Sequence, residues 1–179
     1  MEDFVPWDSM DQLKMITDSI NSPTITGEDI FGKETFRKLC DMHAVDIVHP
    51  DMGSAGGILE TKKIGDYAEE HDISMKMHFA GTPVCFMANV HAAAATQNFL
   101  ALELPVQCVD NPWWPKLVNM VGKQELYTKG FANVPIDAPG LGVELNEDEL
   151  KNHLHAEDDS YFAPTPQWNE KRSHDRLWS

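Results

Sequence analysis

Along the first hundred residues, short apolar runs alternate with amphipathic stretches, and most of the apolar runs stop at a charged or imidazole side chain. The run Val45-Asp46-Ile47-Val48-His49-Pro50 stops at Asp51. Met52-Gly53-Ser54-Ala55-Gly56-Gly57 then turns the chain into a helix expected from about Ile58. A β-branched run closed by a carboxylate, then a glycine turn and a helix, is the βα corner of a parallel α/β protein. The corner recurs. Thr24-Ile25-Thr26-Gly27 ends at Glu28, Ile73-Ser74-Met75-Lys76-Met77 at His78, and Phe99-Leu100-Ala101-Leu102 at Glu103, while Glu2 stands at the start. The intervals are 26 residues from Glu2 to Glu28, then 23 to Asp51, 27 to His78 and 25 to Glu103. A period of about 25 residues accommodates one strand, one turn, one helix and one return loop.

The periodicity between these points predicts the remaining elements. Residues 1–5 read as the tail of a strand stopped by Pro6, and Met10, Leu13, Ile16 and Ile20 recur at helical spacing over 9–20. Helices are expected over about 33–42, with Phe36, Leu39 and Cys40 inward, over 58–71, with Ile58, Ile64 and Ala68 as the buried stripe, and over 84–96, which is alanine-rich. Strands are expected over 24–26, 45–49, 73–77 and 99–102. The pattern then changes: 105–116 is loop-like and aromatic (Pro112-Trp113-Trp114-Pro115), and 130–145 is extended and broken by glycine and proline, as in a hairpin. Asn146-Glu147-Asp148-Glu149 resembles a capping box at the head of a helix reaching about His153, and the chain beyond 155 is polar. The fold class expected is therefore α/β, with residues 1–103 forming about four βα units and 104–179 a wrap-around tail docked on them.

Composition narrows the function. A net charge of -15 argues against a nucleic-acid partner, and the acidity is spread over solvated helix faces such as Glu147-Asp148-Glu149. No apolar run reaches the length of a membrane span, and the acidic first twenty residues lack a secretory signal, so a cytoplasmic location is expected. The three cysteines, Cys40, Cys85 and Cys108, are odd in number and lack CxxC spacing, which favours free thiols over a disulfide framework or a zinc site.

In a parallel barrel the βα loops converge at the carboxyl ends of the strands, so the terminating side chains share one mouth. Glu2 and Glu28 on successive strand ends form a candidate carboxylate pair for a magnesium ion, or else a surface pair favoured by helix dipoles. Asp51 and His78 form a candidate dyad in which the carboxylate fixes the imidazole tautomer and leaves the other nitrogen to accept a proton. The alternative is a merely satisfied histidine at a strand end. Glu103 is a candidate partner acid or substrate acceptor. His49 should point the same way as Asp51, in a supporting or packing role. His91 reads as a core histidine, and His43, His71, His153, His155 and His174 fit loops or helix ends. Gly53, Gly56 and Gly57 could cradle an anion but match no Walker or dinucleotide pattern.

With these residues named, the chain resembles the C-terminal half of the mandelate racemase and muconate lactonizing branch of the enolase superfamily. The matching stretches are Glu2-Asp3 with Pro6, Thr26-Gly27-Glu28, Val45-Asp46-Ile47 through Pro50-Asp51, Ala55-Gly56-Gly57-Ile58, His78 with Gly81-Thr82-Pro83, Asn98-Phe99-Leu100 through Glu103, and Pro139-Gly140-Leu141-Gly142-Val143. The resemblance implies a partial TIM-type (β/α) barrel, its C-terminal half. It implies Mg2+ bound by strand-end carboxylates, abstraction of the proton α to a substrate carboxylate, and an enediolate. Glu2 and Glu28 then resemble the second and third metal ligands, Asp51 and His78 the base dyad, and Glu103 the last-strand carboxylate. The expected reaction is dehydration of a sugar acid of the galactonate or gluconate kind. The alternatives are racemisation, cycloisomerisation, or a non-catalytic half-barrel that folds only against a partner or itself. An unrelated barrel binding phosphate at Gly56-Gly57 is a further reading. The resemblance also implies that a capping domain, the first strands, a lysine-bearing strand and the first metal ligand are missing at the front. The chain is thus expected to be N-terminally truncated, to bind metal weakly and to be inactive alone, with a homo-oligomer expected of the full-length form.

Overall fold

The computed structural model describes residues 1–122 and 124–154. Its first compact unit runs from Met1 to Asn146. Within it a parallel four-stranded sheet has the order β1-β2-β3-β4, with β1 at Ile25–Thr26, β2 at Ile47–Val48, β3 at Ser74–Met77 and β4 at Phe99–Leu102. Sequential strands are therefore spatial neighbours. Before the sheet comes helix α1 (Met10–Ser19), and α2 (Lys33–Met42), α3 (Met52–Ala55), α4 (Gly57–Glu69) and α5 (Pro83–Ala94) follow the strands in turn. The predicted βα series holds throughout, and Glu2 extends the sheet through a parallel bridge to Ile25.

The alternation of side chains along the strands serves two faces. In β3, Met75 and Met77 are buried toward the helices while Ser74 and Lys76 turn to the other face. Helix-side residues join Leu13, Phe36, Leu39, Val48, Ile64 and Ala68 in one core cluster. The stripe expected on α4 is shifted: Ile64 and Ala68 are buried, but Ile58 is 44% exposed. Its place on the inner face falls to Thr61 and Gly65, where α4 runs tight against β3. A Cβ on Gly65 would stand 2.8 Å from Thr96 Cγ2 and 3.1 Å from Met75 Cε, so only glycine permits that approach.

The aromatic stretch is not a plain loop. It folds as α6 (Val106–Asp110) and a 3₁₀ turn at Trp114–Leu117, because Trp114 has a specific seat. Its indole stacks edge-on near Phe79 and Phe86, each ring centre 6.0 Å away, and its Nε1 donates to Gly81 O at 2.9 Å. That bond clamps the loop following His78. Downstream, β5 (Val118–Met120) pairs antiparallel with β8 (Val143–Leu145), and β6 (Tyr127–Thr128) with β7 (Phe131–Ala132), so the tight hairpin lies earlier than the pattern over 130–145 suggests. These pieces build a second core cluster around Phe79, Phe86, Met87 and Trp114. The second unit begins at Glu147 and contains α7 (Glu147–Lys151), at the predicted capping box. His155 and His174 lie outside the described residues. All three cysteines are free, and burial, with Asp41 nearby, pushes the Cys40 thiol up to about 12.

Gly27 sets the spacing between β1 and β2. It adopts φ +145°, and a Cβ there would stand 2.7 Å from Phe36 Cε1 and 3.0 Å from the His49 carbonyl carbon. Gly27→Ala is expected to destabilise the fold by roughly 2–4 kcal/mol, from backbone strain plus overpacking. Urea unfolding followed by circular dichroism measures it; a loss below about 0.5 kcal/mol, the level of an ordinary surface substitution, would show that the strands can separate without cost.

Candidate active site

Each strand end delivers a side chain to the face opposite the helices. Thr26 and Glu28 follow one another at alternate positions, as do His49 and Asp51, Lys76 and His78, and Ala101 and Glu103. Asp51 and His78 are themselves paired by a parallel bridge. The last pair depends on an irregularity. Met75 faces Phe99, but Lys76 faces Ala101, so one extra residue, the 57% exposed Leu100, is inserted in β4. Without it Leu102 would stand opposite His78 and Glu103 would be out of phase. With it, Glu103 N donates to Met77 O at 3.0 Å and its carboxylate joins the shared face.

Asp51 is held from two sides. Its Oδ1 caps α3 by accepting from Ser54 N at 3.1 Å, and its Oδ2 accepts from His78 Nδ1 at 2.9 Å. A carboxylate can only accept, so the proton is assigned to Nδ1, and Nε2 is the nitrogen left facing the cavity. That Nε2 lies 3.2 Å from Glu28 Oε2 and 3.8 Å from Glu103 Oε2. Ser54 Oγ also donates to Glu28 O at 3.0 Å, tying the β1 loop to the head of α3. The structure thus brings Glu28, Asp51, His78 and Glu103 together around one imidazole.

Two residues beside this set carry more than the sequence suggests. His49 is fully buried; its ring meets the His78 ring edge-on at 5.4 Å, and its Nδ1 donates to Lys76 O at 3.0 Å. Its Nε2 lies 3.0 Å from Glu2 Oε1 and 3.5 Å from Glu103 Oε1, but neither contact has the direction of a hydrogen bond. Lys76 donates a charged hydrogen bond to Glu103 and lies 3.8 Å from Glu2 Oε1. Burial on its own would push the Glu103 carboxyl up. The Lys76 hydrogen bond and the neighbouring His49, Lys76 and His78 side chains outweigh it and hold Glu103 below the usual carboxylate range. The sequence reading places His49 with Asp51 by period-two spacing and leaves Lys76, two residues before His78, unnamed. An inward lysine at position 76 was legible only through that parity.

Donor atoms of Glu2, Glu28 and His49 all lie within 4.8 Å of one another, a spacing that one cation could bridge. Two carboxylates suit a hard divalent ion, and the imidazole adds a softer donor. The other histidines have business elsewhere. His43 takes the left-handed cap of α2, His71 meets Tyr67 O and Asp41, His91 Nε2 meets Leu141 O, and His153 meets Glu149. A Cβ on Gly53 would stand 3.0 Å from Asp51 Oδ1, and Gly56 and Gly57 serve the α3–α4 turn with positive φ.

A parallel half-barrel sheet whose strand-end mouth gathers carboxylates around a histidine defines a class of α/β barrel enzyme domains. The chain matches the family described as "Enolase C-terminal domain-like" over residues 1–149. A D-xylonate dehydratase from Haloferax volcanii is 36% identical over 154 residues, covering 86% of this chain and 36% of that protein. A D-galactonate dehydratase from Xanthomonas campestris is 30% identical over 129 residues, 72% of this chain and 34% of its own. Among solved structures, a mandelate racemase/muconate lactonizing enzyme-like protein from Rubrobacter xylanophilus superposes with a TM-score of 0.81 at 33% identity, over 86% of this chain and 38% of that one. The corresponding enzyme from Jannaschia gives 0.75 at 32% identity, over 87% and 38%. The chain belongs to the Enolase C-terminal domain-like family, in the mandelate racemase/muconate lactonizing branch of the enolase superfamily. It spans a little over a third of the length of the curated relatives it matches.

Lys76→Met keeps the length of the side chain and removes its charge. Glu103 is then expected to titrate at higher pH, since burial would no longer be opposed by the ammonium. A depressed carboxylate stabilises the fold above its unfolded value and loses that contribution as pH falls through the folded one. The variant is therefore expected to lose stability at neutral pH and to show a flatter acid limb. Carbon-13 NMR of labelled glutamate reads the titration; a Glu103 curve unchanged by the substitution would contradict the assignment.

Proposed function

We propose that this chain forms part of a lyase that dehydrates a sugar acid through abstraction of the proton α to its carboxylate. The observation that carries the reading is the Asp51–His78 pair, 2.9 Å apart, with His78 Nε2 turned into a mouth lined by Glu28 and Glu103. Asp51 holds the ring by its Nδ1–H, so that Nε2 exchanges the proton, with the α-carbon as base or with the departing hydroxyl as acid. The pair is rigid because Asp51 is also the cap of α3, so the imidazole does not have to be reorganised when substrate arrives.

Glu2 and Glu28 are the residues we assign to an Mg2+ ion; their carboxylate oxygens and their closeness fit it. A bound divalent cation supplies positive charge next to the substrate carboxylate, which makes the neighbouring carbon more acidic. Glu103, kept ionised by Lys76, accepts a hydrogen bond from a substrate hydroxyl or from the enediol form and so fixes its orientation. Dehydration is preferred over racemisation or cycloisomerisation because the relatives cited above are named for dehydrating D-xylonate and D-galactonate. The particular acid sugar falls within that class.

Exchange of the α-proton with solvent deuterium tests the reading in a panel of aldonic acids with Mg2+. It is measured on this chain and on any longer protein that contains it. His78→Asn is expected to lower exchange and product formation roughly 10²–10⁴-fold, the usual contribution of a general acid–base group, and Asp51→Asn by a smaller factor. Exchange that survives His78→Asn would overturn the assignment of the proton-transfer role. An absence of exchange in every form of the protein would leave a non-catalytic scaffold.

A further inference from the structure

His49 is the one buried side chain in the mouth whose outward nitrogen lacks a hydrogen-bond partner among the described residues there. We infer that His49 Nε2 is a nitrogen ligand completing the cation site of Glu2 and Glu28, and that it tilts that site from Mg2+ toward borderline first-row transition ions such as Co2+. The inference rests on the reading of the two glutamates as metal ligands and goes beyond it in adding a donor of different chemistry.

Three observations carry it. First, Lys76 O can only accept, so the 3.0 Å contact assigns the ring proton to Nδ1 and leaves a lone pair on Nε2. A backbone carbonyl behind one ring nitrogen is the usual support of a metal-bound histidine, since it fixes the tautomer and raises the basicity of the other nitrogen. Second, the ring is 0% exposed and its Nε2 is unsatisfied, a costly state for a polar atom deep in a protein. Third, that atom lies among oxygens: it and the donor oxygens of Glu2 and Glu28 fall within 4.8 Å of one another. Lys76 meanwhile pairs with Glu103 and stands farther from Glu2, 3.8 Å from its Oε1. Imidazole binds first-row transition ions far better than magnesium, which prefers oxygen donors.

The test uses metal-free chain titrated calorimetrically with MgCl2 and CoCl2, together with pulsed EPR of the Mn2+-loaded protein. Unmodified protein is expected to bind Co2+ at least roughly tenfold more tightly than Mg2+. His49→Gln should remove most of that preference, lowering Co2+ affinity about tenfold or more while Mg2+ changes by less than about threefold. Glu28→Gln should weaken both ions. Replacing histidine by [15N]histidine should exchange the 14N modulation of the Mn2+ signal for a 15N one, a readout that needs no substitution if His49→Gln fails to fold. Mg2+ binding that is lost in Glu28→Gln, without nitrogen coupling and with an unchanged Co2+ preference in His49→Gln, would overturn the role of His49 and leave the glutamate site standing. If the unmodified chain binds neither ion up to millimolar concentrations, both assignments fall together.

Discussion

Crowding of like charge governs this molecule. Glu28, Asp51 and Glu103 converge on His78, and Glu2 and Glu103 both approach His49. Two unit charges about 4 Å apart in partly solvated protein interact by roughly 4 kcal/mol, so carboxylates this close could not be kept without positive or hydrogen-bonding partners between them. The sheet interleaves such partners strand by strand: two imidazoles and one ammonium alternate with the acids. The geometry of the mouth and the stability of the fold draw on the same contacts, because removing any one partner leaves a neighbouring acid uncompensated.

The backbone makes that interleaving possible. Parallel strands place residues of matching parity on one face, and the crossovers keep neighbours in chain order as neighbours in space. Gly27 lets β1 and β2 approach closely enough for Glu28 to reach the mouth, and the extra residue at Leu100 shifts β4 so that Glu103 stands beside His78. On the other face Met75 and Met77 seal against α4 and α5. The site is thus the polar side of strands whose apolar side is the core. Trp114, far along the chain, stiffens the arrangement by gripping Gly81 just beyond His78.

Among its relatives the chain corresponds to little over a third of the longer proteins, yet within that third the strand-end chemistry is continuous from Glu2 to Glu103. The proposed division of labour follows from position. The earlier strand ends offer oxygen ligands, the middle ones a fixed imidazole, and the last a carboxylate held ionised by its lysine neighbour. His49 lies beside Glu2 and edge-on to the His78 ring, so the two halves of the mouth share one wall.

Much of this was written in the linear chain. Apolar runs ending in Glu28, Asp51, His78 and Glu103 at near-constant intervals determine a parallel α/β series and the residues at its mouth, because strand, turn and helix lengths are set by backbone geometry alone. The motif order carried the family as well. Tertiary structure alone decided the rest. Parity says that His49 and Lys76 face the mouth, but not that one would be wholly buried with an unsatisfied nitrogen and the other paired with Glu103. Those outcomes depend on distances between strands that sequence does not encode locally. Nor does the pattern reveal the inserted Leu100, the exposed Ile58, or the aromatic stretch folding into a clamp, since each follows from how closely one element can approach another.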